Sequence, residues 1–315
     1  MLSTFFTVLP VFALILAGWA ARRYGALGPM ALREINRFVV YLALPALMFD
    51  VIATANPQDL WQPGFITAYA AGCFLIFIIA VVIRKLQRVN LADAAVDGLS
   101  AGYANTAYMG IPLLLAVYGE KGLTPALIAT VLTVTIIFCV GLILIEAAIQ
   151  TGSSRWEIAR KAMVSLLKNP LLIAPAAGAL VLFSGIDVPS PARSFLDLLG
   201  SAASPCALVA LGLFFAQPED KETAPRTSLM DMSWLAGLKL IGQPLVTWLV
   251  AGPVLGLSDF WLHSAVFIAA MPTGTGPFML AEFYERHPRL AGQVILVTTL
   301  ISIVTLSAYL SLIGV

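Results

Sequence analysis

Ten apolar stretches of about twenty residues dominate the pattern of hydrophobic and polar positions in this chain. An α-helix needs about that length to cross the hydrocarbon core of a bilayer. The stretches cover residues 2–21, 36–53, 63–83, 95–118, 123–149, 169–185, 194–216, 234–256, 261–284 and 291–314. The pattern therefore predicts an all-helical polytopic membrane protein with ten spans and hardly any chain left for a soluble domain.

Two of these stretches are interrupted by Gly and Pro at matching places. The first interruption covers residues 105–112, with the sequence NTAYMGIP, and the second covers residues 271–277, with the sequence MPTGTGP. Backbone groups freed by a break at membrane depth must be buried in protein or face a wet cavity. Corresponding breaks in two halves of a chain are typical of the binding sites of secondary transporters built from inverted repeats.

A weak internal repeat supports that division into halves. Pro45 and Pro205 lie 160 residues apart, and Pro112 and Pro277 lie 165 residues apart. Five spans per half is an odd number, so the second half must enter the membrane from the opposite side. The predicted organisation is a first five-helix repeat over residues 1–149, a cytoplasmic linker over 150–168 and an inverted second repeat over 169–315.

The basic residues predict the orientation, because Lys and Arg are retained on the cytoplasmic side during insertion. Of the 18 Lys and Arg residues, all but Lys121 and Arg193 fall on one side of the predicted spans. Both termini are therefore expected to be extracytoplasmic, and the polar loop 217–233 is expected to be a solvated cytoplasmic tether. No basic side chain precedes the first span, so we expect that span to be retained rather than cleaved as a signal peptide.

Composition agrees with a membrane protein and gives little sign of other partners. Hydrophobic residues make up 60% of the chain, charged residues only 11%, and the mean hydropathy is +0.92. Soluble domains contain roughly 25% charged residues. The net charge of +1 gives no indication of a nucleic-acid partner.

The Gly and Pro residues at the two breaks are predicted to shape an anion site. Gly110, Gly274 and Gly276 would allow unusual φ angles and close approach of the two backbones. Pro112 and Pro277 suit the first turn of a new half-helix, where a backbone N–H is not needed. The N-terminus of each half-helix supplies about half a positive charge and stabilises anions.

Polar side chains beside the breaks complete the candidate substrate site. They can donate hydrogen bonds to a carboxylate, and they are Asn105, Thr106, Tyr108, Thr273 and Thr275. No Lys or Arg is expected deep within a span. A bound anion would therefore be held by amide, hydroxyl and backbone donors together with the helix dipoles.

Acidic residues inside membranes are candidates for proton or cation binding. Most of those in the predicted spans lie near span ends, namely Asp50, Asp97, Glu146 and Asp197. Glu282, five residues after Pro277, is the favoured proton or cation partner among the acidic residues. Whether transport is coupled to an ion stays open at this point.

The chain lacks the motifs of other membrane functions. Its cysteines lie inside predicted spans without CxxC spacing, so neither a disulfide nor a metal site is predicted. His263 and His287 lie near opposite ends of one span, which argues against paired haem ligation, and no cofactor is predicted. GxxxxGK[ST] and HExxH motifs are missing, so ATP-driven pumping, zinc proteolysis and an enzymatic role are not expected.

At the two breaks and at the start of the sixth span, the chain resembles the auxin efflux carrier family, which includes plant PIN proteins and many bacterial permeases. The resemblance covers nearly the whole chain, and its most specific parts are residues 104–114, residues 269–278 and the triplet Lys168-Asn169-Pro170. It implies a scaffold of spans 1, 2, 6 and 7 and a transport domain carrying crossed helices 4 and 9. It also implies elevator-like movement, a homodimer through the scaffold, and substrate contacts at Asn105, Pro112 and Pro277.

The family's substrates are organic acid anions, either indole acetic acid or small dicarboxylates such as malate and malonate. Auxin is not favoured here, because the chain lacks the long hydrophilic loop of plant members and has no charged residue in the body of span 3. We therefore expect a cell-membrane carrier that exports a small carboxylate. A sodium- or proton-coupled symporter or antiporter of another solute, a channel, and a membrane enzyme or sensor are the alternatives.

Overall fold

The computed structural model describes residues 2–55, 60–150, 160–161, 163–164, 167–217 and 228–313. Regular structure in these ranges is helical, apart from one isolated antiparallel β-bridge. The predicted all-helical class is therefore confirmed. Most of the predicted linker 150–168 and of the predicted loop 217–233 lies outside the described residues.

We number twelve helices in the described part of the chain. The sixth, α6, is continuous through the segments Leu123–Thr130, Val131–Ile137 and Phe138–Ile149. The others are α1 (Leu2–Arg23), α2 (Ala31–Ala53), α3 (Pro63–Leu86), α4 (Leu91–Gly102), α5 (Ile111–Tyr118), α7 (Pro170–Ser184), α8 (Ser190–Phe215), α9 (Leu229–Val254), α10 (Asp259–Ala269), α11 (Gly276–Phe283) and α12 (Pro288–Leu312).

Six helical stretches among the described residues are long and apolar enough to cross a membrane. They are Ala31–Ala53, Pro63–Leu86, Thr106–Ile149, Ser190–Phe215, Leu229–Val254 and Pro288–Leu312. The 44-residue stretch Thr106–Ile149 turns at Gly119, where φ is +61°. Shorter apolar helices are Pro170–Ser184 and Asp259–Ala269.

Side-chain caps and proline set several helix starts. Asn90 Oδ1 accepts a hydrogen bond from Ala92 N at 2.8 Å at the start of α4. Asn169 Oδ1 accepts one from Leu171 N at 3.0 Å at the start of α7, whose first residue is Pro170. An Asn at the N-cap followed by Pro at N1 is a favourable start, because the side chain satisfies a free N–H and Pro has none.

Proline also explains three π-helical turns that directly precede α-helical segments. The segments Val39–Ala43, Thr106–Gly110 and Leu238–Gly242 each end two residues before a proline. In an α-helix the proline ring would collide with the carbonyl four residues earlier. A wider turn with bonds to the fifth residue back moves that carbonyl away, so the helix continues through the proline.

Two groups of helices surround the candidate site. In the first group, α1 packs on α8, and α2 packs on both α7 and α8. A Cβ at Gly18 of α1 would lie only 2.1 Å from Val209 O of α8, so this contact requires glycine. In the second group, α3 and α4 pack together, and α9, α10, α11 and α12 complete the bundle around them.

Candidate functional site

The two breaks meet and bond to each other. After α4, residues 103–105 leave the helix, and after α10 residues 270–275 do the same. Asn105 N donates to Pro272 O at 2.8 Å, Gly274 N donates to Tyr103 O at 3.0 Å, and Ala104 forms an antiparallel bridge with Thr273. The freed backbone groups therefore satisfy one another in the protein interior, as the bilayer requires.

The position of the first break differs from the prediction. Pro112 stands in the first turn of α5, as predicted, but a π-helical turn over Thr106–Gly110 precedes α5, so the chain is helical again from Thr106. In that turn Gly110 N donates to Asn105 O at 3.0 Å, and the wider turn leaves room for the proline ring. Pro277 stands in the first turn of α11, also as predicted.

The predicted unusual φ angles are wrong for all three site glycines, since none of them has a positive φ. The predicted close approach of the two backbones is confirmed at Gly274, where an added Cβ would lie 3.3 Å from Ala104 O. At both Gly274 and Gly276 the nearest neighbour is the Tyr103 side chain. A Cβ at Gly274 would lie 2.7 Å from Tyr103 Cε1, and a Cβ at Gly276 would lie 2.8 Å from Tyr103 Cζ. Gly110 has no such contact, because its nearest neighbour, Asn105 O, is 3.6 Å away. Two glycines therefore make room for one tyrosine ring.

A cavity of about 30 Å³ lies where the two breaks meet. A buried water needs at least about 10 to 15 Å³ of such space, so the cavity has room for about two waters. Six of the predicted site residues line it, namely Asn105, Thr106, Tyr108, Gly274, Thr275 and Gly276. The other four, which are Gly110, Pro112, Thr273 and Pro277, are not part of the lining.

The polar side chains at the cavity have unused hydrogen-bonding capacity. Thr106 Oγ1 is buried and has no partner among the described residues, and the Asn105 side chain makes no hydrogen bond to them. Thr273 differs, because its Oγ1 donates to Ser100 O at 2.7 Å, at the end of α4. Asn105 and Thr106 are therefore placed to bind a ligand, whereas the Thr273 hydroxyl supports the backbone.

Both resumed helices begin at this cavity. Thr106 and Ala107 open one, Thr275 and Gly276 open the other, and all four line the cavity. The first N–H groups of a helix lack partners within it, and the helix dipole makes this end positive. No basic side chain is present in the described lining. Any attraction for an anion therefore comes from N–H groups, dipoles, the amide and the hydroxyls.

The opposite wall of the cavity was not predicted from the sequence. Leu44 and Leu47 of α2 and Ala203 and Ser204 of α8 belong to the lining. The sequence does draw attention to two of these four residues, because Leu44 and Ser204 directly precede Pro45 and Pro205, the prolines that match between the two halves. The cavity therefore lies between the two helix groups.

A buried lysine was also missed. Lys239 in α9 is 0% exposed, and its Nζ donates to Ala269 O, at the end of α10, at 2.8 Å. The expectation that no Lys or Arg lies deep within a span is therefore wrong. Residue 239 falls inside the apolar stretch 234–256, which could have indicated a lysine within a span. The prediction of orientation instead counted Lys239 among the basic residues on the cytoplasmic side.

Glu282, the predicted proton or cation partner, lies away from the cavity between the breaks. It lines a separate crevice of about 470 Å³ between α2 and α11, together with Arg33, Arg37 and Glu285. Asp97, also predicted to lie near a span end, is fully buried and bonds to Arg84 Nε at 2.6 Å. Among the described residues, no group of three or more His, Cys, Asp or Glu side chains could hold a metal ion.

Two broken helices that meet around a small cavity are typical of membrane transporters. Comparison with known proteins agrees, since residues 3–310 match the family described as membrane transport protein. The chain belongs to this family, the auxin efflux carrier family, and it is a transporter and not an enzyme.

Its relatives come from bacteria, archaea and plants. The chain is 28% identical over 307 residues to a putative malonate transporter of Rhizobium meliloti, covering 97% of this chain and 94% of that protein. It is 26% identical to the uncharacterized transporter YfdV of Escherichia coli, with 96% of each covered. It is 24% identical to auxin efflux carrier component 8 of Arabidopsis thaliana, covering 92% of this chain and 91% of that one.

Proposed function

We propose that the protein is a carrier that moves a small organic acid anion, a dicarboxylate such as malonate or malate, out through the cell membrane. One observation carries the proposal: two helix starts converge on a cavity with an unpartnered Thr106 hydroxyl and a free Asn105 amide. These groups are hydrogen-bond donors at positive helix ends. The similarity to a protein named as a putative malonate transporter supports a dicarboxylate.

The proposed topology has ten spans in two inverted five-helix repeats, with both termini extracytoplasmic. In it, α4 with α5 forms crossed helix 4, and α10 with α11 forms crossed helix 9. The bias of Lys and Arg toward one side supports the orientation. The antiparallel pairing of the two breaks supports the inversion, because the two chain segments run in opposite directions there.

The proposed mechanism is elevator-like alternating access. The group formed by α1, α2, α7 and α8 would be the scaffold, also the surface of a homodimer, and the remaining helices would carry the substrate. The position of the cavity between the groups supports this division. A cavity of about 30 Å³ is too small for a dicarboxylate, so admitting one requires the two groups to move apart.

The direction of transport follows from the membrane potential. An inside-negative potential favours outward movement of an anion by about 2.3 kcal/mol per charge per 100 mV. A dianion is therefore driven outward without ATP, in keeping with the missing nucleotide-binding motif.

The test is uptake of radiolabelled carboxylates into proteoliposomes. The panel contains malate, malonate and an aromatic acid, with membrane potential, pH gradient and sodium gradient imposed separately. We expect saturable, potential-driven movement of a dicarboxylate. If folded, correctly inserted protein moves none of the acids, the anion assignment is wrong. Non-saturating flux at channel rates would replace the carrier with a channel.

Two variants test whether transport depends on the cavity. Asn105→Ala removes a free amide from the lining, so substrate affinity should fall while the protein remains folded. Gln62→Ala removes an amide that precedes α3 and makes no capping hydrogen bond, so transport should be unchanged. Equal transport by Asn105→Ala and the control would remove Asn105 from the site.

A further inference from the structure

Polar side chains bond the two helix groups to each other at one end of the molecule. Among the described residues, three side-chain hydrogen bonds cross between the groups: Asn36 Nδ2 donates to Met279 O at 3.5 Å, Cys139 Sγ to Leu171 O at 3.8 Å, and Asn169 Nδ2 to Tyr284 Oη at 3.2 Å. The three partners from the first group stand at or near the starts of the apolar stretches 36–53 and 169–185. The proposed topology places both starts on the cytoplasmic side, so the groups are bonded at their inner ends.

Tyr284, which follows α11, is the centre of one of these contacts. Its hydroxyl donates to Glu146 Oε1 in α6 at 2.5 Å and accepts from Asn169 Nδ2. A hydrogen bond to a carboxylate is stronger than one between neutral groups, so Glu146 holds the hydroxyl in place. Asn169 is held as well, because its Oδ1 caps α7 by accepting from Leu171 N. One side of the contact therefore belongs to the first group, and the other belongs to α6 and α11.

An aromatic pair lies beside this hydrogen bond. Tyr41 of α2 meets Phe283 of α11 edge to face, with ring centroids 5.6 Å apart and an interplanar angle of 69°. Such an arrangement is favourable for aromatic rings. Both rings line the crevice of about 470 Å³ and a second crevice of about 210 Å³, which Glu146, Asn169 and Tyr284 also line. The aromatic pair therefore stands between two crevices in the interface of the groups.

The aromatic pair also stands between the cavity and the inner ends of its two helices. In α2, Leu44 lines the cavity, whereas Tyr41 and, nearer the inner end, Arg37 line the larger crevice. In α11, Gly276 lines the cavity, and Phe283 lies seven residues later, about 10 Å along a helix. A solute that passes between α2 and α11 from the cytoplasm to the cavity must therefore separate the two rings.

We propose that Tyr41, Phe283 and Tyr284 form the inner gate of the carrier, with Asn169 as the positioning residue that holds this gate closed. Opening the gate breaks the hydrogen bond between Asn169 and Tyr284 and separates the two rings, while Tyr284 stays bonded to Glu146. In this structure the gate is closed. The inference deepens the proposed function and rests on it for the transport readout, but not for the accessibility readout.

Two substitutions break the bond across the gate from opposite sides. Asn169→Ser keeps a good N-cap residue at α7, but its side chain is too short to reach the Tyr284 hydroxyl. Tyr284→Phe removes the hydroxyl and retains the ring. Asn90→Ser is the matched control, because Asn90 Oδ1 caps α4 in the same way, through Ala92 N at 2.8 Å, inside the second group.

The first experiment measures how fast a cysteine in the cavity reacts from each side of the membrane. Thr275→Cys is introduced into a protein whose three native cysteines are replaced by Ala, and an impermeant thiol reagent is added to right-side-out or inside-out vesicles without substrate. Asn169→Ser and Tyr284→Phe should each raise the ratio of the inside rate to the outside rate by about 2- to 10-fold, the effect expected from one hydrogen bond. Asn90→Ser should leave the ratio unchanged.

The double variant of Asn169→Ser with Tyr284→Phe sharpens this test. Because both substitutions remove the same bond, the double variant should raise the ratio no more than either single one. An unchanged ratio in the two folded single variants overturns the inference. Effects that multiply in the double variant, or an equal rise in Asn90→Ser, also overturn it.

The second experiment closes the gate covalently. Tyr41→Cys and Phe283→Cys, in the same protein without native cysteines, are joined by a short bifunctional thiol reagent that reductant releases. Uptake of the acid identified in the panel should stop on bridging and return on reduction. Tyr118→Cys with Phe260→Cys is the control pair, because these rings are 5.4 Å apart in the same edge-to-face geometry but both belong to helices that would move together. Bridging the control pair should leave uptake unchanged.

Continued uptake after bridging residues 41 and 283 contradicts the inference, and this result decides the case even if Asn169→Ser and Tyr284→Phe fail to fold. Failure of the proposed function has a different signature. No acid is then transported before any bridging, while the ratio of inside to outside rates still rises in the two gate variants and not in Asn90→Ser.

Discussion

Two threonines at the crossing have opposite environments. Thr106 Oγ1 is buried without a partner at the cavity, whereas Thr273 Oγ1 donates to Ser100 O. The same substitution at the two positions therefore separates ligand binding from structural support. The difference depends on whether a backbone carbonyl lies within hydrogen-bonding distance of the hydroxyl. Residue type alone does not reveal this.

Thr106→Val should retain or slightly raise stability, because it removes an unsatisfied buried hydroxyl, and should weaken substrate binding. Thr273→Val should cost about 1 to 3 kcal/mol, because it leaves the buried Ser100 carbonyl without its donor. Denaturation in detergent and the Michaelis constant for uptake measure the two effects. A larger stability loss for Thr106→Val than for Thr273→Val would contradict this assignment.

Gly274→Ala should destabilise the crossing by about 1 to 3 kcal/mol, as overpacking does. The new methyl group would lie 2.7 Å from a ring carbon of Tyr103, which the paired backbones hold in place. Gly110→Ala is the matched control, because the nearest atom to its new methyl group is 3.6 Å away. Thermal unfolding of both variants tests the difference, and equal losses would refute it.

The candidate site could be predicted in part from sequence. Asn105, Thr106 and Thr275 stand out as polar residues beside Gly and Pro breaks, and all three line the cavity. The repeat-matched prolines lie next to Leu44 and Ser204, but the sequence could not show that these two residues line the cavity, because that depends on how α2 and α8 pack across it. Lys239 lies inside an apolar stretch, but its carbonyl partner is 30 residues away.

At the scale of elements, a cluster of charged side chains joins four helices. Arg84 of α3 bonds to Asp97 of α4 at 2.6 Å and to Asp231 of α9 at 2.9 Å. His287, which precedes α12, lies 3.4 Å from Asp97 Oδ2. These contacts join α3 and α4 to α9 and to the start of α12, so the cluster fixes how the second helix group is assembled.

Asp97→Asn should destabilise the protein by about 3 to 5 kcal/mol, because it leaves the buried Arg84 charge short of its main partner. Asp93→Asn is a suitable comparison, since its contact with Arg286 is 4.0 Å long and the Arg286 side chain is 35% exposed. An exposed pair contributes about 0 to 1 kcal/mol. Unfolding curves for the two variants decide the matter, and similar losses would be evidence against a buried ion pair.

Stability should depend on pH through His287. Its hydrogen bond with Asp97 raises the pKa of His287, aided by the charges of Asp97 and Asp93 and opposed by burial and by Arg84. Since the folded pKa is raised, the stabilisation is complete below the unfolded value of about 6.5 and is lost as pH rises through the folded value. His287→Gln should remove this fall, which unfolding at about pH 6 and about pH 8 measures. An unchanged pH profile in the variant would assign the dependence to another group.

Element boundaries were predictable where a stretch is apolar and ends at a charge or a proline. The stretch predicted at 63–83 corresponds to the helix Pro63–Leu86. This helix begins with Pro63, and its last turn contains Arg84 and Lys85. The restart at Thr106 was not predictable from the rule that proline begins a helix. Three prolines in this chain are preceded by π-helical turns, and the helix continues through them. A proline within an apolar stretch is therefore weaker evidence for a break in the helix than a proline beside Gly and Thr.

At the scale of the whole molecule, the cavity between the two helix groups should open alternately to the two sides. Thr275→Cys, in a chain whose three native cysteines are replaced by Ala, should react with an impermeant thiol reagent from either side. The transported acid should slow both reactions. Reaction from one side alone, in protein that still transports, would contradict alternating access at this cavity.

The control for that experiment also tests the proposed topology. Ser184 ends α7 and is exposed, and the ten-span topology places it outside. Ser184→Cys should therefore react only from the outside, whether or not substrate is present. Reaction from the inside would reverse the orientation that the basic residues predict.

The packing of one tyrosine against two glycines also constrains how this sequence can evolve. A larger residue at position 274 or 276 collides with Tyr103 while the tyrosine is present. A lineage can enlarge either position only after the residue at 103 has become smaller, and the intermediate form then has an unfilled hole between its crossed helices. The three positions are therefore expected to change together among descendants, and a compensated double substitution should survive selection where each single one is lost.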